Sequence, residues 1–258
     1  MSKLNAKELK SLSQTHIHLR QQFVYVLIMD KQTDAPGSIP ESVIGSEFMA
    51  SYPFDITVHT YSGGNLMITD INDKLLIRVK PCNTTFHNQR VLLDTHDTPI
   101  VVLREKNMTE HGRWNVFRGN TNANSDLLFT TKTTHLIQRK TSVDVFLTNK
   151  KSCKDDCDFK IKGNWSERNC TIYMGDSSTT IAQMQTAQPL ENAKFAGDKF
   201  VVRINPNVDY AFVVSLIAIV DAMNCCGIKE KLAVQVLKKG GGVLGEVLAK
   251  AIVTAVST

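Results

Sequence analysis

The chain has 258 residues, of which 42% are hydrophobic, and its formal net charge is +5. This length suits one globular domain with additional segments, and the composition can supply a large buried core. Three of the five net positive charges fall within residues 225–258, so the rest of the chain is close to neutral. A near-neutral domain argues against a broad duplex-DNA surface, whereas a basic tail suits anionic lipid or an acidic partner.

The cysteines and the N-terminal region predict a location in the cytoplasm, with peripheral attachment at the plasma membrane as a further expectation. A chain of this size needs no disulfide framework, although it contains six cysteines. The apolar stretch Phe23–Met29 is short, follows about twenty mostly polar residues and lacks a clear cleavage site, so it does not read as a signal peptide.

Residues 1–50 are predicted to form an irregular leader, with a linker marked by Pro36, Gly37 and Pro40. From Tyr52 the hydrophobic period becomes two, which indicates β-strands with one buried face. The predicted strands, separated by Gly-, Asn- and Asp-rich turns, span residues 55–60, 65–69, 74–80, 89–93, 99–106, 113–118, 127–131, 134–139, 143–148, 157–162, 170–174, 179–185 and 199–205. Their spacing predicts antiparallel hairpins.

An eleven-residue apolar run, Tyr210–Val220, follows the last strand and lies between Asp209 and Asp221. A helix that is apolar on every side must be buried, but eleven residues rise only about 16 Å and cannot cross a bilayer core of about 30 Å. The β-rich region is therefore expected to wrap around it as a closed barrel. Asn207 is the expected N-cap, with Asp209 in the first helical turn.

The helix, predicted over residues 208–224, should place its apolar side chains in the barrel core, and the six expected to be almost free of water are Phe212, Val213, Val214, Leu216, Ile217 and Ile219. The predicted division of the chain is then a leader (1–50), a barrel with its central helix (51–224) and a tail (225–258).

The tail carries an apolar stripe over residues 243–256 with helical spacing, preceded by Lys229, Lys231, Lys238 and Lys239. Such a stripe needs a membrane interface, a partner or the outer wall of the barrel to cover it. Cys225 and Cys226 precede it. They are candidates for S-acylation, and the competing interpretation is that they are ordinary thiols at a helix end.

Several segments together resemble the plant LURP-one-related family. They are residues 65–80 (NLMITDINDKLLIRVK), 90–106, 113–119, 157–173 and 205–224, in the family's order. That family is related to the Tubby C-terminal domain and to phospholipid scramblases. The resemblance, over about residues 51–224, implies a twelve-stranded antiparallel barrel around a central hydrophobic helix. It also implies a membrane-tethered, lipid-interacting or signalling role, with members implicated in plant defence.

No catalytic signature is visible: no G-x-G-x-x-G follows a predicted strand, and the G-x-x-x-x-G-K-[ST] loop, the G-x-S-x-G elbow and the H-E-x-x-H zinc motif are absent from the sequence. The glycines at 240–242 follow Lys239 and not a strand, which favours a hinge over a phosphate-binding loop. Cys153, Cys157 and Cys170 are the best metal candidates, but they lack a second pair at zinc-site spacing. We therefore expect a protein that is not an enzyme and needs no cofactor or metal.

Three basic pairs are candidates for binding lipid headgroups: Arg78 with Lys80, Arg104 with Lys106, and Lys160 with Lys162. Each is spaced i, i+2, so both cations leave one face of a strand and can together hold a phosphate. The competing interpretation is that they are simply solvated.

The expected partner is anionic membrane lipid, in particular phosphoinositide, with a signalling protein as a further candidate and a monomer as the expected state. Alternative functions are scramblase-like lipid handling, which would require the central helix to enter lipid, and a transcription regulator released from membrane.

Overall fold

The computed structural model describes residues 42–84, 87–106, 112–121, 123–137, 140–149, 156–186 and 199–239; the side chains of residues 135–137, 186 and 225–239 are outside that description. The predicted leader up to residue 41 and the apolar stripe of the tail, residues 243–256, also lie outside it. Residues 42–53 lead into the first strand and contain a short 3-10 turn, Ser46–Phe48.

Twelve strands and one helix follow in chain order. The strands are β1 (Phe54–Thr60), β2 (Leu66–Thr69), β3 (Leu75–Pro81), β4 (Gln89–Leu93), β5 (Pro99–Glu105), β6 (Trp114–Arg118), β7 (Leu127–Ile137), β8 (Lys140–Leu147), β9 (Phe159–Asn164), β10 (Asn169–Met174), β11 (Thr180–Thr186) and β12 (Lys199–Ile204). The helix, α1, spans Tyr210–Lys239.

Every strand pairs antiparallel with its sequence neighbours, and β1 pairs with β12, so the sheet closes into a barrel. Closure leaves no unpaired sheet edge, and the predicted fold class is confirmed. Strand β8 illustrates the alternation that builds the wall, since Thr141, Val143, Val145 and Leu147 are buried while the residues between them are not.

Strand β7 differs from the prediction. Residues 127–131 and 134–139 were predicted as two strands, but Leu127–Ile137 form one. The register of β7 against β8 shifts between Thr133 and His135, which marks a β-bulge or similar irregularity. An irregularity of this kind breaks the period of two without ending the strand, and this explains why the pattern looked like two elements.

The barrel interior is filled by the first part of α1. Residues 211–223 are all buried, and Leu216 and Ile219 have no exposed surface. Phe212 packs edge-on against Phe129 of β7, with ring centroids 5.1 Å apart, and against Phe159 of β9 at 4.9 Å. The core therefore consists of one helix surrounded by inward-facing strand residues.

The helix is longer than predicted. It does not end at Asn224 but continues to Lys239, so the first fifteen residues of the predicted tail share a helix with the barrel core. At the other boundary, Ile44 of the predicted leader is only 2% exposed and belongs to the hydrophobic core.

The barrel has two distinct ends. We call the end where α1 begins the entry end; its described residues are 42–53, 70–74, 94–98, 119–121, 123–126, 148–149, 156–158, 175–179 and 205–209. The opposite end, toward which α1 runs, is the exit end; its described residues between strands are 61–65, 82–84, 87–88, 106, 112–113 and 165–168.

Candidate functional site

Asp209 fastens the start of the helix at the entry end. Its carboxylate accepts hydrogen bonds from the backbone amides of Phe212 (3.0 Å), Ile44 (2.7 Å) and Gly45 (3.2 Å). The bond from Phe212, the third helical residue, makes Asp209 the N-cap, so the expectation that Asn207 would cap the helix was wrong. Burial raises the pKa of the Asp209 carboxyl, although the backbone amides that donate to it act in the opposite sense.

Replacing Asp209 with Ala should lower the free energy of unfolding by about 2–3 kcal/mol, because it leaves the amides of Ile44, Gly45 and Phe212 without their acceptor. Asp209→Asn keeps one side-chain acceptor and should lose less. Urea denaturation of the two variants measures the difference. An Ala variant as stable as the original chain would show that this cap contributes nothing.

A buried ion pair lies toward the exit end. Arg90 of β4 donates from Nη1 to Asp221 Oδ2 at 2.9 Å and to the carbonyl oxygen of Ala218 at 3.0 Å. The two side chains are only 7% and 9% exposed. This pair was not predicted from the sequence. Asp221 was interpreted only as the boundary of the apolar run, and the alternation in the strand gave no reason to select Arg90.

The predicted pair Arg78 and Lys80 lies on β3, where both side chains reach the same carboxylate. Asp97, in the connection between β4 and β5, is 3.3 Å from Arg78 Nη2 and 3.3 Å from Lys80 Nζ. Arg78 also donates to the carbonyl oxygen of Thr95 at 3.2 Å. The cluster keeps one net positive charge, so an anionic headgroup here would compete with Asp97.

The predicted pair Lys160 and Lys162 lies on β9, and the two lysines have different surroundings. Lys160 is 17% exposed and contacts Asp144, at 3.5 Å, and Asp176. The hydrogen bond to Asp176 raises the pKa of the lysine, which keeps it charged. Lys162 is exposed, and its Nζ lies 5.9 Å from the ring centroid of Tyr173.

The predicted pair Arg104 and Lys106 lies at the exit end, where β5 leads into the connection to β6. Arg104 is half-buried and pairs in register with Asn115 of β6, and Lys106 is exposed. The backbone amide of Lys106 donates to the carbonyl oxygen of Arg113 at 2.8 Å. This backbone bond brings the Lys106 and Arg113 positions together across the two chain segments.

The three basic pairs do not converge on one site. They lie on β3, β5 and β9, which are not neighbours in the barrel. The six predicted residues of the helix core do lie together, each 0–1% exposed. Cys225 and Cys226 belong to the helical backbone of α1, but their side chains are outside the description.

The buried thiols have no reactive environment. Cys170 is 1% exposed, and burial raises its pKa to about 11. A thiol with so high a pKa carries almost no thiolate at neutral pH and is a poor nucleophile. Within the described ranges, no three His, Cys, Asp or Glu side chains are placed to hold a metal ion.

One further property bears on membranes. Among the helical residues that the structure describes, no helix combines the length and the apolarity needed to cross a bilayer.

Several known proteins are similar to this chain in sequence, and one of them with a solved structure is also similar in fold. The family model described as LURP-one-related matches residues 56–221. Protein LURP-one-related 15 of Arabidopsis thaliana is 40% identical over 215 residues, which cover 80% of this chain and 97% of that protein. Protein LURP1 of the same plant is 38% identical over 202 residues, which cover 77% of this chain and 97% of its own length.

A protein from Arabidopsis thaliana with a solved X-ray structure has 40% sequence identity and a TM-score of 0.58, covering 72% of this chain and 99% of its own. The family match begins within β1 and ends in the buried part of α1, so it contains most of β1 and all of β2 to β12. The chain belongs to the LURP-one-related family.

Proposed function

We propose that this protein is a non-catalytic barrel that binds the headgroups of anionic membrane phospholipids, phosphoinositides among them, and is thereby held at a membrane. One observation carries the proposal: the barrel interior is filled by α1, whose residues 211–223 are all buried. Small-molecule sites are usually concave and enclosed, and a filled barrel offers no such space along its axis. The proposal therefore places ligand binding at the outer surface of the barrel.

The outer surface carries exposed cations that support this proposal. Lys162 beside Tyr173, and the Lys106 and Arg113 positions at the end of β5 and β6, present exposed basic side chains at fixed positions on a rigid wall. Arg78, Lys80 and Lys160 contact carboxylates, so a phosphate bound at these three residues would compete with those carboxylates. Binding of this kind is electrostatic and of moderate strength.

A role in plant defence signalling is part of the proposal. It follows from the resemblance to a family with members implicated in defence, and from relatives in Arabidopsis thaliana that include the protein named LURP1. A barrel held at a membrane can present its remaining surface to a signalling protein, which is the further partner we propose.

The scramblase-like and transcription-regulator alternatives are less well supported. Entry of α1 into lipid would break the three hydrogen bonds to Asp209 and the buried contact of Arg90 with Asp221. No contact in the described part of the chain favours that movement, so we propose that the helix stays in the barrel.

Vesicle sedimentation of the full chain tests the proposed function. We expect cosedimentation with vesicles that contain phosphatidylserine or a phosphoinositide, and none with neutral phosphatidylcholine vesicles. Equal sedimentation with all three, or with none, would contradict the proposal.

Binding should weaken as salt rises, because the Debye length falls from about 30 Å at 0.01 M to about 8 Å at physiological ionic strength. Reversing the charge of each pair, as Arg78→Glu/Lys80→Glu, Arg104→Glu/Lys106→Glu and Lys160→Glu/Lys162→Glu, ranks the three pairs in the same assay. We expect the smallest loss for Arg78 and Lys80, which already share Asp97. Unchanged binding in all three variants would place the headgroup site elsewhere.

A further inference from the structure

The two ends of the barrel carry opposite charge. At the entry end, the described connecting residues and strand ends contain ten acidic residues and two basic ones, and the balance stays negative when Arg78, Lys80 and Lys160, which contact Asp97 and Asp176, are added. The acidic residues are Glu47, Asp70, Asp73, Asp94, Asp97, Asp126, Asp156, Asp158, Asp176 and Asp209, and the basic residues are Lys74 and Arg118.

At the exit end, the balance among described residues is reversed. The connections and strand ends contain five basic residues and two acidic ones. The basic residues are Lys106, Arg113, Lys140, Arg168 and Lys199, and the acidic ones are Glu105 and Glu167. When the undescribed residues between the same strands are counted by formal charge from the sequence, both signs stay the same.

The two ends are far enough apart for their opposite charges to act separately at physiological ionic strength. Strands of six or seven residues, rising about 3.3 Å per residue and tilted by about 40°, span about 15 Å along the barrel axis. That length exceeds the Debye length of about 8 Å at physiological ionic strength. An anionic surface near one end is therefore largely screened from the charges at the other, and the molecule has a preferred orientation toward it.

The basic side chains at the exit end are accessible. Lys106, Arg113, Lys140 and Lys199 are exposed. Arg168 is held in place, because its guanidinium lies 4.6 Å from the ring centroid of Trp165 and 4.8 Å from that of Phe200.

The acidic residues at the entry end include several that are fixed in turns. Asp94 accepts the backbone amides of His96 and Thr98, each at 2.8 Å. Asp70 accepts those of Asn72 and Lys74 at 2.8 and 2.9 Å. These bonds fix both carboxylates within their turns, and the backbone amide of Thr98 lowers the pKa of the Asp94 carboxyl.

The helix adds to the positive charge of the exit end. It runs from the entry end toward the exit end and continues for sixteen residues beyond Met223. The sequence of that continuation contains Lys229, Lys231, Lys238 and Lys239 against one acidic residue, Glu230.

From this charge distribution we propose that the exit end faces the anionic bilayer and that the entry end points away from it. The inference rests on the proposed lipid binding and assigns it to a surface: the rim around the emerging helix, formed by Lys106, Arg113, Lys140, Arg168 and Lys199. Each of the three basic pairs predicted from the sequence should then contribute more to lipid binding the closer it lies to that rim.

Matched charge reversals at the two ends test the assignment. Lys199→Glu at the exit end and Lys74→Glu at the entry end change the net charge equally, and both lysines are exposed. Each cation near an anionic leaflet contributes about five-fold in binding. Binding of the full chain to phosphatidylserine vesicles should therefore fall at least about five-fold for Lys199→Glu and about twenty-five-fold for Lys140→Glu/Lys199→Glu, whereas Lys74→Glu should change it less than about two-fold.

The outcomes separate the inference from the function on which it rests. If the unaltered chain binds but Lys74→Glu weakens binding as much as Lys199→Glu, the orientation is wrong and the lipid-binding proposal stands. The same holds if Arg78→Glu/Lys80→Glu weakens binding while Lys140→Glu/Lys199→Glu does not. If the unaltered chain binds no anionic vesicle, both proposals are overturned. Thermal melts that match the original chain verify that each variant is folded.

Discussion

Replacing Leu216 with Asp is expected to abolish the folded state. Leu216 has no exposed surface and lies in the part of α1 that fills the barrel, between Phe212 and Ile219. An unpaired charge in such a site costs several kcal/mol even after relaxation, and the loss of packing adds to it. The sum is comparable with the whole stability of a typical domain, about 5–15 kcal/mol.

Circular dichroism measures this result as the loss of the cooperative thermal transition. Leu216→Met is the matched control, because a volume-conserving apolar change in a core costs less than about 1.5 kcal/mol. The control should melt cooperatively near the temperature of the original chain. A cooperative and unchanged melt of the Asp variant would contradict a helix enclosed by the barrel.

Breaking the buried ion pair should have the second largest effect. Replacing Arg90 with Met leaves Asp221 without the Nη1 donor at 2.9 Å, in a site where its side chain is 9% exposed. Removal of one partner of a buried pair costs about 3–5 kcal/mol, because the other charge stays buried. Asp221→Leu should cost a similar amount for the same reason.

The double variant Arg90→Met/Asp221→Leu separates charge from packing. Replacing both partners with apolar side chains often costs little, so the double variant should be more stable than either single variant. Arg203→Met is the surface control. Arg203 makes two hydrogen bonds of 2.9 Å to Asp55 but is 56% exposed, and exposed pairs contribute about 0–1 kcal/mol. Denaturant unfolding of the four variants and the original chain measures these differences, and strictly additive losses in the double variant would contradict a coupled buried pair.

The architecture was predictable because two kinds of pattern agreed. The alternation in segments such as Leu75–Val79 indicated strands with one buried face, and the fully apolar run at Tyr210–Val220 indicated a helix that must be enclosed. The number of strands was less certain from pattern alone, because the irregularity in β7 between Thr133 and His135 interrupts the period of two. The closed order of the twelve strands came from the family resemblance, and the structure confirms it.

The length of the helix was underestimated for a physical reason. Asn224 is only partly buried, and the sequence after it becomes more polar and contains Gly227, so the apolar pattern of a buried helix stops there. Helix formers continue after that point, and the backbone remains helical to Lys239. A hydrophobic pattern reports where a helix is enclosed and does not report where it ends.

Contacts between distant segments were beyond the reach of sequence reasoning. Asp209 and Ile44 are 165 residues apart, and Arg90 and Asp221 are 131 residues apart. Nothing in local spacing links such residues. The charge difference between the two ends was hidden in the same way, because acidic and basic residues alternate from one connection to the next along the chain and separate only when the antiparallel strands bring alternate connections together.

Amide hydrogen exchange of the full chain, with and without phosphoinositide-containing vesicles, tests most directly whether an intact barrel binds the membrane at its exit end. Added vesicles should slow exchange at Lys106, Gly112–Arg113, Trp165–Arg168 and Lys199, leave the entry-end connections 70–74 and 94–98 unchanged, and leave residues 211–223 among the slowest to exchange. Slower exchange at the entry end instead, or faster exchange within residues 211–223, would contradict the account.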